Sequence, residues 1–214
     1  MTDPDPADRL TLADWRRRVA ELYAAVRAIA RDDPETAHER WRAAREALLR
    51  DHPQSPVPAD EREHFRSDFW PYDPALRFEV EVDPAPAQAA GALAIELPSS
   101  GAERLAFARI GSLRIPFQQG ERRLSIFWME GYAGGLFLPF RDATSGTQTY
   151  GAGRYLLDAA KSADLGGDPL RGTLILDFNF AFQPSCAFDP RWACPLAPPE
   201  NRLDLAIRAG ERLA

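Results

Sequence analysis

Cysteine and histidine are scarce in this chain, and their shortage excludes several kinds of site. The two cysteines, Cys186 and Cys194, are too few for a disulfide framework and do not have the spacing of zinc ligands. No histidine follows His64, so a nucleophilic cysteine would need His38, His52 or His64 from the N-terminal region. We therefore expect both thiols to be small buried hydrophobic side chains. The sequence leaves their redox state, and the role of His52, open.

Signals for secretion and membrane insertion are missing as well. The opening segment, MTDPDPADRL, is acidic and lacks the basic start and apolar core of a signal peptide. No uncharged apolar run approaches the ~18 residues that a membrane-spanning helix needs. We expect a cytoplasmic protein that does not associate with a membrane.

An excess of basic charge is also missing. The formal net charge is −6, which disfavours nucleic acid as a partner because phosphate binding needs a basic face. Lys161 is the only lysine, and we interpret the preference for arginine as genome composition. The 214 residues are 45% hydrophobic and 27% charged, which is ordinary globular usage and enough for one domain with a sizeable core.

The first quarter of the chain has the periodicity of helices. Apolar residues at three- and four-residue steps share one helix face; they are Leu12, Trp15, Val19, Leu22, Tyr23, Val26 and Ile29. A second helix is predicted to begin at Asp33 and Pro34, a cap and a first-turn proline, and its apolar stripe is Ala37, Trp41, Ala44 and Leu48. One more helical turn is expected across Asp60–Phe65. We predict helices near 12–30 and 34–50 in an N-terminal helical segment, residues 1–66, packed on the core.

From Leu76 onward the hydrophobic period changes to two, which indicates strands. The run LRFEVEV alternates polar and apolar residues. Similar runs follow, separated mostly by Gly, Pro, Ser or Asp: 92–97, 104–110, 113–117, 123–128, 135–140, 154–157 and 173–180. About eight short strands without long helices between them predict an α+β protein that is mainly antiparallel β. Residues 67–214 are expected to form one unit, a sandwich or rolled barrel.

Polar residues stand at sharply defined points between the later strand-like runs. Asp142, Asp177 and Asn179 could gather into an oxygen-rich cation site or could hydrogen-bond backbone groups in turns; we predict no metal. Asp177 and Asn179 alternate about Phe178, so we expect them on the same side of a strand and close to Asp142 or Arg154. The candidate ligand-binding residues are Asp142, Thr144, Tyr150, Arg154, Asp177 and Asn179.

Arg154 admits two interpretations. The one we favour is a structural ion pair with an internal carboxylate, and the alternative is that its guanidinium binds a small anionic ligand. Gly146, Gly151 and Gly153 would let backbone amides approach such an anion. The segment lacks the Gly-Lys-Ser/Thr end of a phosphate loop and leads into a strand, so neither nucleotide-binding fingerprint applies. No cofactor is predicted.

Several blocks of the sequence resemble a known family. The longest is FLPFRDATSGTQTYGAGRYL at 137–156, and shorter ones are DFN at 177–179, PSCAF at 184–188, CPLAPPENRL at 194–203 and AGE at 209–211. HPQSP at 52–56 and FWPYDP at 69–74 look like the N-terminal half of the same family. The family is a bacterial and archaeal one known only as a domain of unknown function. The resemblance covers most of the chain and implies no reaction.

Two functions remain after this reading. In the first, the protein is a small-molecule or anion-binding module, whose polar pocket lies around Asp142, Arg154 and Asp177. In the second, it is a non-catalytic structural or interaction protein in which these residues form an internal hydrogen-bond network. Whether any catalysis occurs, and in which oligomeric state, is left open by the sequence.

Overall fold

The structure is a computed structural model that describes residues 5–85, 94–96, 106–131 and 134–213, with the backbone alone for 94–96. Two helices precede a sheet of antiparallel strands, so the fold is α+β and mainly antiparallel β, as predicted. Among the helices of the described residues, none combines the length and the apolar character needed to cross a membrane.

The two helices pack against each other, and the N-terminus of each is capped by an aspartate. Helix α1 spans Pro6–Ile29, and the Asp5 carboxylate accepts a hydrogen bond from the Ala7 amide. Helix α2 spans Pro34–Asp51, and Asp33 accepts from the Thr36 amide at 3.0 Å. The predicted start near residue 12 was wrong for α1, because Asp5 followed by Pro6 provides a cap and a first turn earlier in the chain. The predicted helical turn near 60–65 is a short 3₁₀ helix at Arg62–His64.

One large sheet contains most of the strands, and every pairing in it is antiparallel. Its strands are β2 (Arg77–Pro84), β3 (Ala94–Glu96), β4 (Ala106–Phe117), β5 (Gly120–Met129), β6 (Gly135–Phe140), β7 (Arg154–Asp158), β8 (Gly167–Asp168) and β9 (Thr173–Asp177). The strand order is β7-β6-β5-β4-β2-β9-β8, with β3 also paired to β4, and the sheet curls into a half-barrel. A separate small sheet pairs β1 (Asp68–Phe69) with β10 (Glu211–Arg212).

Two predicted strand boundaries were wrong. Of the residues predicted as separate strands at 104–110 and 113–117, those from 106 onward lie in the single long strand β4, and 104–105 lie outside the described residues. The strand β4 keeps pairing with β5 through a register shift between Arg109 and Gly111. Strand β9 ends at Asp177 instead of Phe180, because Phe178–Phe180 turn into a 3₁₀ helix. Of the strand predicted at 92–97, residues 94–96 form β3 and the others lie outside the described residues.

The core has two main parts, one inside the curled sheet and one between the sheet and the helices. The inner part packs aliphatic side chains of β4, β5 and β6 around Phe178. The outer part joins the apolar stripes of α1 and α2 to Phe69, Ala163, Leu165 and Phe180. Trp41 is fully buried there and Trp15 is half-buried, which confirms that both stripes face the β-fold.

After β9 the chain returns across the sheet as a largely irregular segment. Phe182 makes a two-way backbone bridge with Tyr155 on β7, through N–H···O bonds of 2.9 and 3.0 Å. Farther on, the Arg141 amide donates to the Asn201 carbonyl and the Leu203 amide donates to the Arg141 carbonyl. These contacts place residues 182–188 beside β7 and under the helices, where they help to form the pocket described below.

Candidate ligand-binding site

Arg154, the first residue of β7, is buried and uses its guanidinium on internal acceptors. Its Nη2 donates to Asp142 Oδ2 at 3.0 Å and to the Ile207 carbonyl at 2.8 Å. Its Nη1 donates to the carbonyls of Ala209 and Glu211. Only 1% of the side-chain surface of either partner in the Arg154–Asp142 pair is exposed. Arg154 therefore forms the internal ion pair that we favoured, and it fastens the C-terminal segment to the sheet.

Asp142 organises the turn that follows β6. Its Oδ1 accepts from the amide and the hydroxyl of Thr144, at 3.1 and 2.6 Å, and its Oδ2 also accepts from the Ile207 amide at 2.9 Å. The Thr144 hydroxyl in turn lies 3.0 Å from that of Thr149. Such a carboxylate is saturated by charge-assisted and backbone hydrogen bonds. This is the turn chemistry that we weighed as the alternative to a cation site.

Gly153 illustrates why a glycine precedes Arg154. Its φ is +103°, a conformation that disfavours a side chain, and an added Cβ would collide with the carbonyl oxygen of Phe140. The glycine thus lets the chain approach β6 closely enough for Arg154 to pair with Phe140 in the ladder. Its role in the structure is a close backbone contact.

Asp177 and Asn179 form a second buried group with its own partners. Asp177 caps the 3₁₀ turn by accepting from the amide and side-chain nitrogen of Asn179, at 3.0 and 2.8 Å. It also accepts from the Tyr72 hydroxyl at 3.2 Å and from Arg77 at 3.3 Å. Burial raises the pKa of Asp177, and the bonds from Asn179 and Arg77 oppose that rise.

The strand alternation predicted about Phe178 was wrong, because the turn replaces the strand there. Asn179 instead exchanges a pair of 2.8 Å hydrogen bonds with the backbone of Asp73. Among the described residues, no direct hydrogen bond joins Asp177 or Asn179 to Asp142 or Arg154. Aromatic rings connect the two groups. The Phe140 ring lies against the Arg154 guanidinium, and it also contacts the ring of Phe178, which stands between Asp177 and Asn179 in the sequence, at a centroid distance of 5.3 Å.

Tyr150 belongs to a third neighbourhood, that of the cysteines. Burial raises its pKa to about 12, and a hydrogen bond with Cys186 acts in the same direction. The Cys186 amide donates to Cys194 Sγ at 3.3 Å, and both cysteines are buried without a disulfide. The six predicted residues are thus divided among three places, and their binding of a ligand stays a prediction. In the described parts of the chain no cluster of three or more His, Cys, Asp or Glu side chains is arranged to hold a metal ion.

The histidines are held by the N-terminal helices. His52 bridges from α2 to α1, with Nε2 3.3 Å from Asp14 Oδ2 and Nδ1 accepting from the Gln54 amide. His38 is buried on α2 and stacks on Trp41 at a centroid distance of 5.9 Å. Burial, assisted by the nearby charge of Arg42, lowers the pKa of His38 to about 4.

A pocket that the sequence reading missed lies between the helices and β7. Its cavity volume is about 80 Å³, and we call it the helix–sheet pocket. Its wall is mainly aromatic and aliphatic, and it includes none of the six predicted site residues. The lining side chains are Trp15, Val19, Leu22, Tyr23, Trp41, Arg45, Leu48, Leu49, Pro56, Tyr155, Asp158, Lys161, Ala163, Phe182, Gln183, Pro184, Ser185 and Phe188.

Few polar groups interrupt this wall, and most of them are already bonded. Arg45 forms a two-armed ion pair with Glu211, with N···O distances of 3.1 and 2.7 Å. Its guanidinium also lies over the ring of Phe182, 4.9 Å from the centroid. Lys161 pairs with Asp158 at 3.0 Å. These contacts balance the charges at the pocket and attach α2 to the C-terminal strand.

Gln183 is the exception among the polar groups of the wall. The residue is 6% exposed, and its side-chain oxygen has no hydrogen-bond partner among the described residues. Its side-chain nitrogen donates to the Arg212 carbonyl at 3.2 Å. A buried acceptor without a partner is unusual in proteins. The wall of the pocket is mainly apolar, and the unpaired oxygen itself has almost no exposed surface.

Comparison with known proteins identifies the family of this chain. Residues 63–212 match the family described as "Protein of unknown function (DUF1684)". The chain belongs to this family. It is also similar to an uncharacterized protein of Haloarcula marismortui with a known solution NMR structure: the two share 31% sequence identity, the match covers 84% of this chain and 94% of that one, and the TM-score is 0.57. No curated protein matches. The family supplies no activity, so a function must be argued from the pocket.

Proposed function

We propose that this protein binds a small, largely apolar molecule in the helix–sheet pocket. The observation that carries the proposal is an aromatic-lined cavity of about 80 Å³ between the helices and β7. Ligand sites are typically concave, mainly apolar and equipped with a few polar groups. The rings of Trp15, Tyr23 and Phe182 provide the apolar surface, and Arg45 and Gln183 provide the polar groups.

The composition of the wall supports a binding site over an incidental packing defect. Ala163 is 3% exposed, and a larger side chain at this position would fill part of the space. An unfilled apolar space loses dispersion contacts and so lowers the stability of the fold. A ligand that supplies those contacts would recover the lost stability on binding.

A second candidate function is a structural or interaction role without catalysis. The specific observation in its favour is that Arg154 donates to one carboxylate and three carbonyl groups inside the protein. An arginine used in this way has little capacity left for an anionic ligand. The two candidates are compatible, because neither Arg154 nor any of its four partners lines the pocket.

The proposal is tested by filling the pocket. Toluene is a suitable probe because it is small, apolar and uncharged. In the native protein we expect saturable shifts of the backbone amide signals of Ala163, Phe182 and Gln183 in a ¹H–¹⁵N NMR titration. In Ala163→Leu, whose added side chain occupies the pocket, we expect those shifts to be lost.

Ala43→Leu is the matched control, since it makes the same change at an exposed position of α2. It should bind toluene like the native protein. The proposal fails if toluene shifts no pocket signal in the native protein, or if Ala163→Leu binds it as well as Ala43→Leu does. Thermal melts of all three proteins establish that each is folded at the temperature of the titration.

A further inference from the structure

The two cysteines lie side by side at the base of a loop. The Cys186 amide donates to Cys194 Sγ at 3.3 Å, the two side chains hydrogen-bond to each other, and no disulfide joins them. A 3₁₀ turn at Ser185–Ala187 and a second turn at 189–192 reverse the chain between them. The fold thus holds two thiols in direct contact without a covalent bond.

Hydrogen bonds distinguish the two sulfur atoms. Burial raises the pKa of Tyr150, and a hydrogen bond with Cys186 raises it further, so the phenol is the donor and the Cys186 sulfur is the acceptor. The hydrogen bond with Cys186, together with burial, also raises the pKa of Cys194, so the Cys194 S–H donates to the same sulfur. Two donors at the Cys186 sulfur favour its thiolate, while Cys194 keeps its proton.

Both cysteines lie beneath a surface loop. Cys186 is 6% exposed and Cys194 is 3% exposed, and every residue from 187 to 193 between them is half-buried or exposed. Against the hydrogen bond and burial, the charge of Lys161 lowers the pKa of Cys194, but this lysine is itself paired with Asp158 at 3.0 Å. A small, uncharged oxidant such as hydrogen peroxide is the co-reactant that suits this position.

We propose that Cys186 and Cys194 form a redox-active pair, a site at which a peroxide converts the two thiols into a reversible disulfide. The Cys186 thiolate attacks one peroxide oxygen, so that an S–O bond forms and the O–O bond breaks. The departing hydroxide takes up the proton that Cys186 gave up and leaves as water. The proposal does not depend on the proposed function, because neither cysteine lines the helix–sheet pocket.

Cys194 completes the reaction. Its sulfur attacks the Cys186 sulfur, and the S–S bond forms as the S–O bond breaks. The second hydroxide leaves with the proton of Cys194 as water. The two sulfur atoms together lose two electrons, and one molecule of hydrogen peroxide is reduced to two molecules of water. A small dithiol such as dithiothreitol reverses the change by thiol–disulfide exchange.

Mass spectrometry of the native protein after brief treatment with a small excess of hydrogen peroxide tests the pair. We expect a disulfide between Cys186 and Cys194 within one chain, seen as an intact mass lowered by two hydrogens, and recovery of both thiols with dithiothreitol. Two thiols that survive the treatment, or oxidation to sulfinic acid without a disulfide, would overturn the proposal. This result does not depend on the folding of any variant.

Cys194→Ser and Cys186→Ser test the order of the two steps. In Cys194→Ser no second thiol can close the disulfide, so a sulfenic acid should accumulate at Cys186 and be trapped by dimedone. In Cys186→Ser the remaining thiol should react at least about tenfold more slowly, because the thiolate fraction falls tenfold for each unit of pKa. In urea, where the fold is lost, the two variants should react at similar rates. Equal rates in the folded variants would overturn the assignment of Cys186 as the attacking residue.

Discussion

Arg154 is a charged side chain with almost no exposed surface, and its environment explains how that is tolerated. Burial lowers its pKa, while the Asp142 carboxylate acts in the opposite direction and favours the charged form. The rings of Trp70 and Phe140 lie over the guanidinium, with centroids 5.4 and 5.2 Å away. The cation is thus paired, hydrogen-bonded and covered by aromatic faces.

Replacing Arg154 with Met tests this structural role. The change keeps most of the aliphatic stem but leaves the Asp142 carboxylate buried without its cation, so we expect the free energy of unfolding to fall by about 3–5 kcal/mol. Urea unfolding measures the loss. Arg208→Met, at an exposed position, is the control and should change stability by less than about 0.5 kcal/mol.

An anion-binding role for Arg154 would give a different outcome. The variant would remain as stable as the control, and phosphates or carboxylates would raise the melting temperature of the native protein but not of the variant. That pattern would restore the predicted site around Arg154.

His38 makes the stability of the fold depend on pH. Its pKa is about 4 in the folded protein, lowered first by burial and then by Arg42, against about 6.5 in an unfolded chain. Between pH 4 and pH 6.5 the imidazole is protonated in the unfolded chain but not in the folded protein. The contribution of His38 to the free energy of unfolding is therefore fully present above pH 6.5 and falls as the pH is lowered toward 4. By pH 5 the loss from this residue should be about 2 kcal/mol.

Urea unfolding at pH 7 and pH 5 checks this prediction in the native protein, in His38→Phe and in His64→Phe. The loss between the two pH values should be about 2 kcal/mol smaller in His38→Phe than in the native protein. His64 is exposed, so His64→Phe should keep the native pH dependence. The assignment is wrong if His38→Phe and the native protein lose the same stability.

At the scale of elements, periodicity predicted the type of each segment better than its limits. The helices and the antiparallel strands were identified because one face of each is apolar and the period differs between them. The end of β9 was missed because Asp177, read as a strand residue, serves as the cap of a 3₁₀ turn. The long β4 was divided in two because Gly111 resembles a turn signal. In the structure, its close contact with the Asp83 carbonyl explains why a glycine is needed there.

The strands β5 and β6 illustrate how one side chain can complete a sheet. They pair only at Phe127–Met129 with Gly135–Phe137, and beyond this point Asn201 bonds to both strands. Its side-chain oxygen accepts from the Ser125 amide at 2.8 Å, and its nitrogen donates to the carbonyls of Ser125 and Pro139 at 2.9 and 2.7 Å. The contact takes the place of ladder bonds that the diverging strands cannot make.

Asn201→Ala should therefore destabilise the protein far more than an ordinary surface change. It leaves buried backbone groups of Ser125 and Pro139 without partners, and each such group costs about 1–3 kcal/mol. We expect a loss of about 3 kcal/mol in urea unfolding, together with faster hydrogen exchange at the Ser125 amide. Gln148→Ala, at an exposed site, is the control. A loss no larger than that of the control would mean that water replaces the Asn201 contacts.

At the scale of the whole molecule, the pocket could not have been predicted from sequence patterns. Its wall brings Trp15 and Arg45 of the helices together with Tyr155 of β7 and Gln183 of the returning segment. These residues are far apart in the chain and each has an ordinary role in its own neighbourhood. The sequence analysis instead selected polar residues such as Asp142 as a candidate site. Asp142 occurs at its position because the turn needs a side chain that hydrogen-bonds nearby groups, as it does with Thr144.

The pocket lies between the two parts of the chain that the sequence distinguishes. These are an N-terminal helical segment, residues 1–66, and an antiparallel β domain, residues 67–214. The helices form one wall and β7 with the returning segment forms the other. Arg45 and Glu211 join the walls through a buried ion pair. A ligand would then be held at a junction of two layers, a common place for small-molecule sites.

The most direct measurement is the structure of the protein with toluene bound. We expect the ring in the helix–sheet pocket, in contact with Tyr23 and Phe182. An empty pocket at a toluene concentration well above that used in the NMR titration, or toluene bound elsewhere, would contradict the proposed binding site.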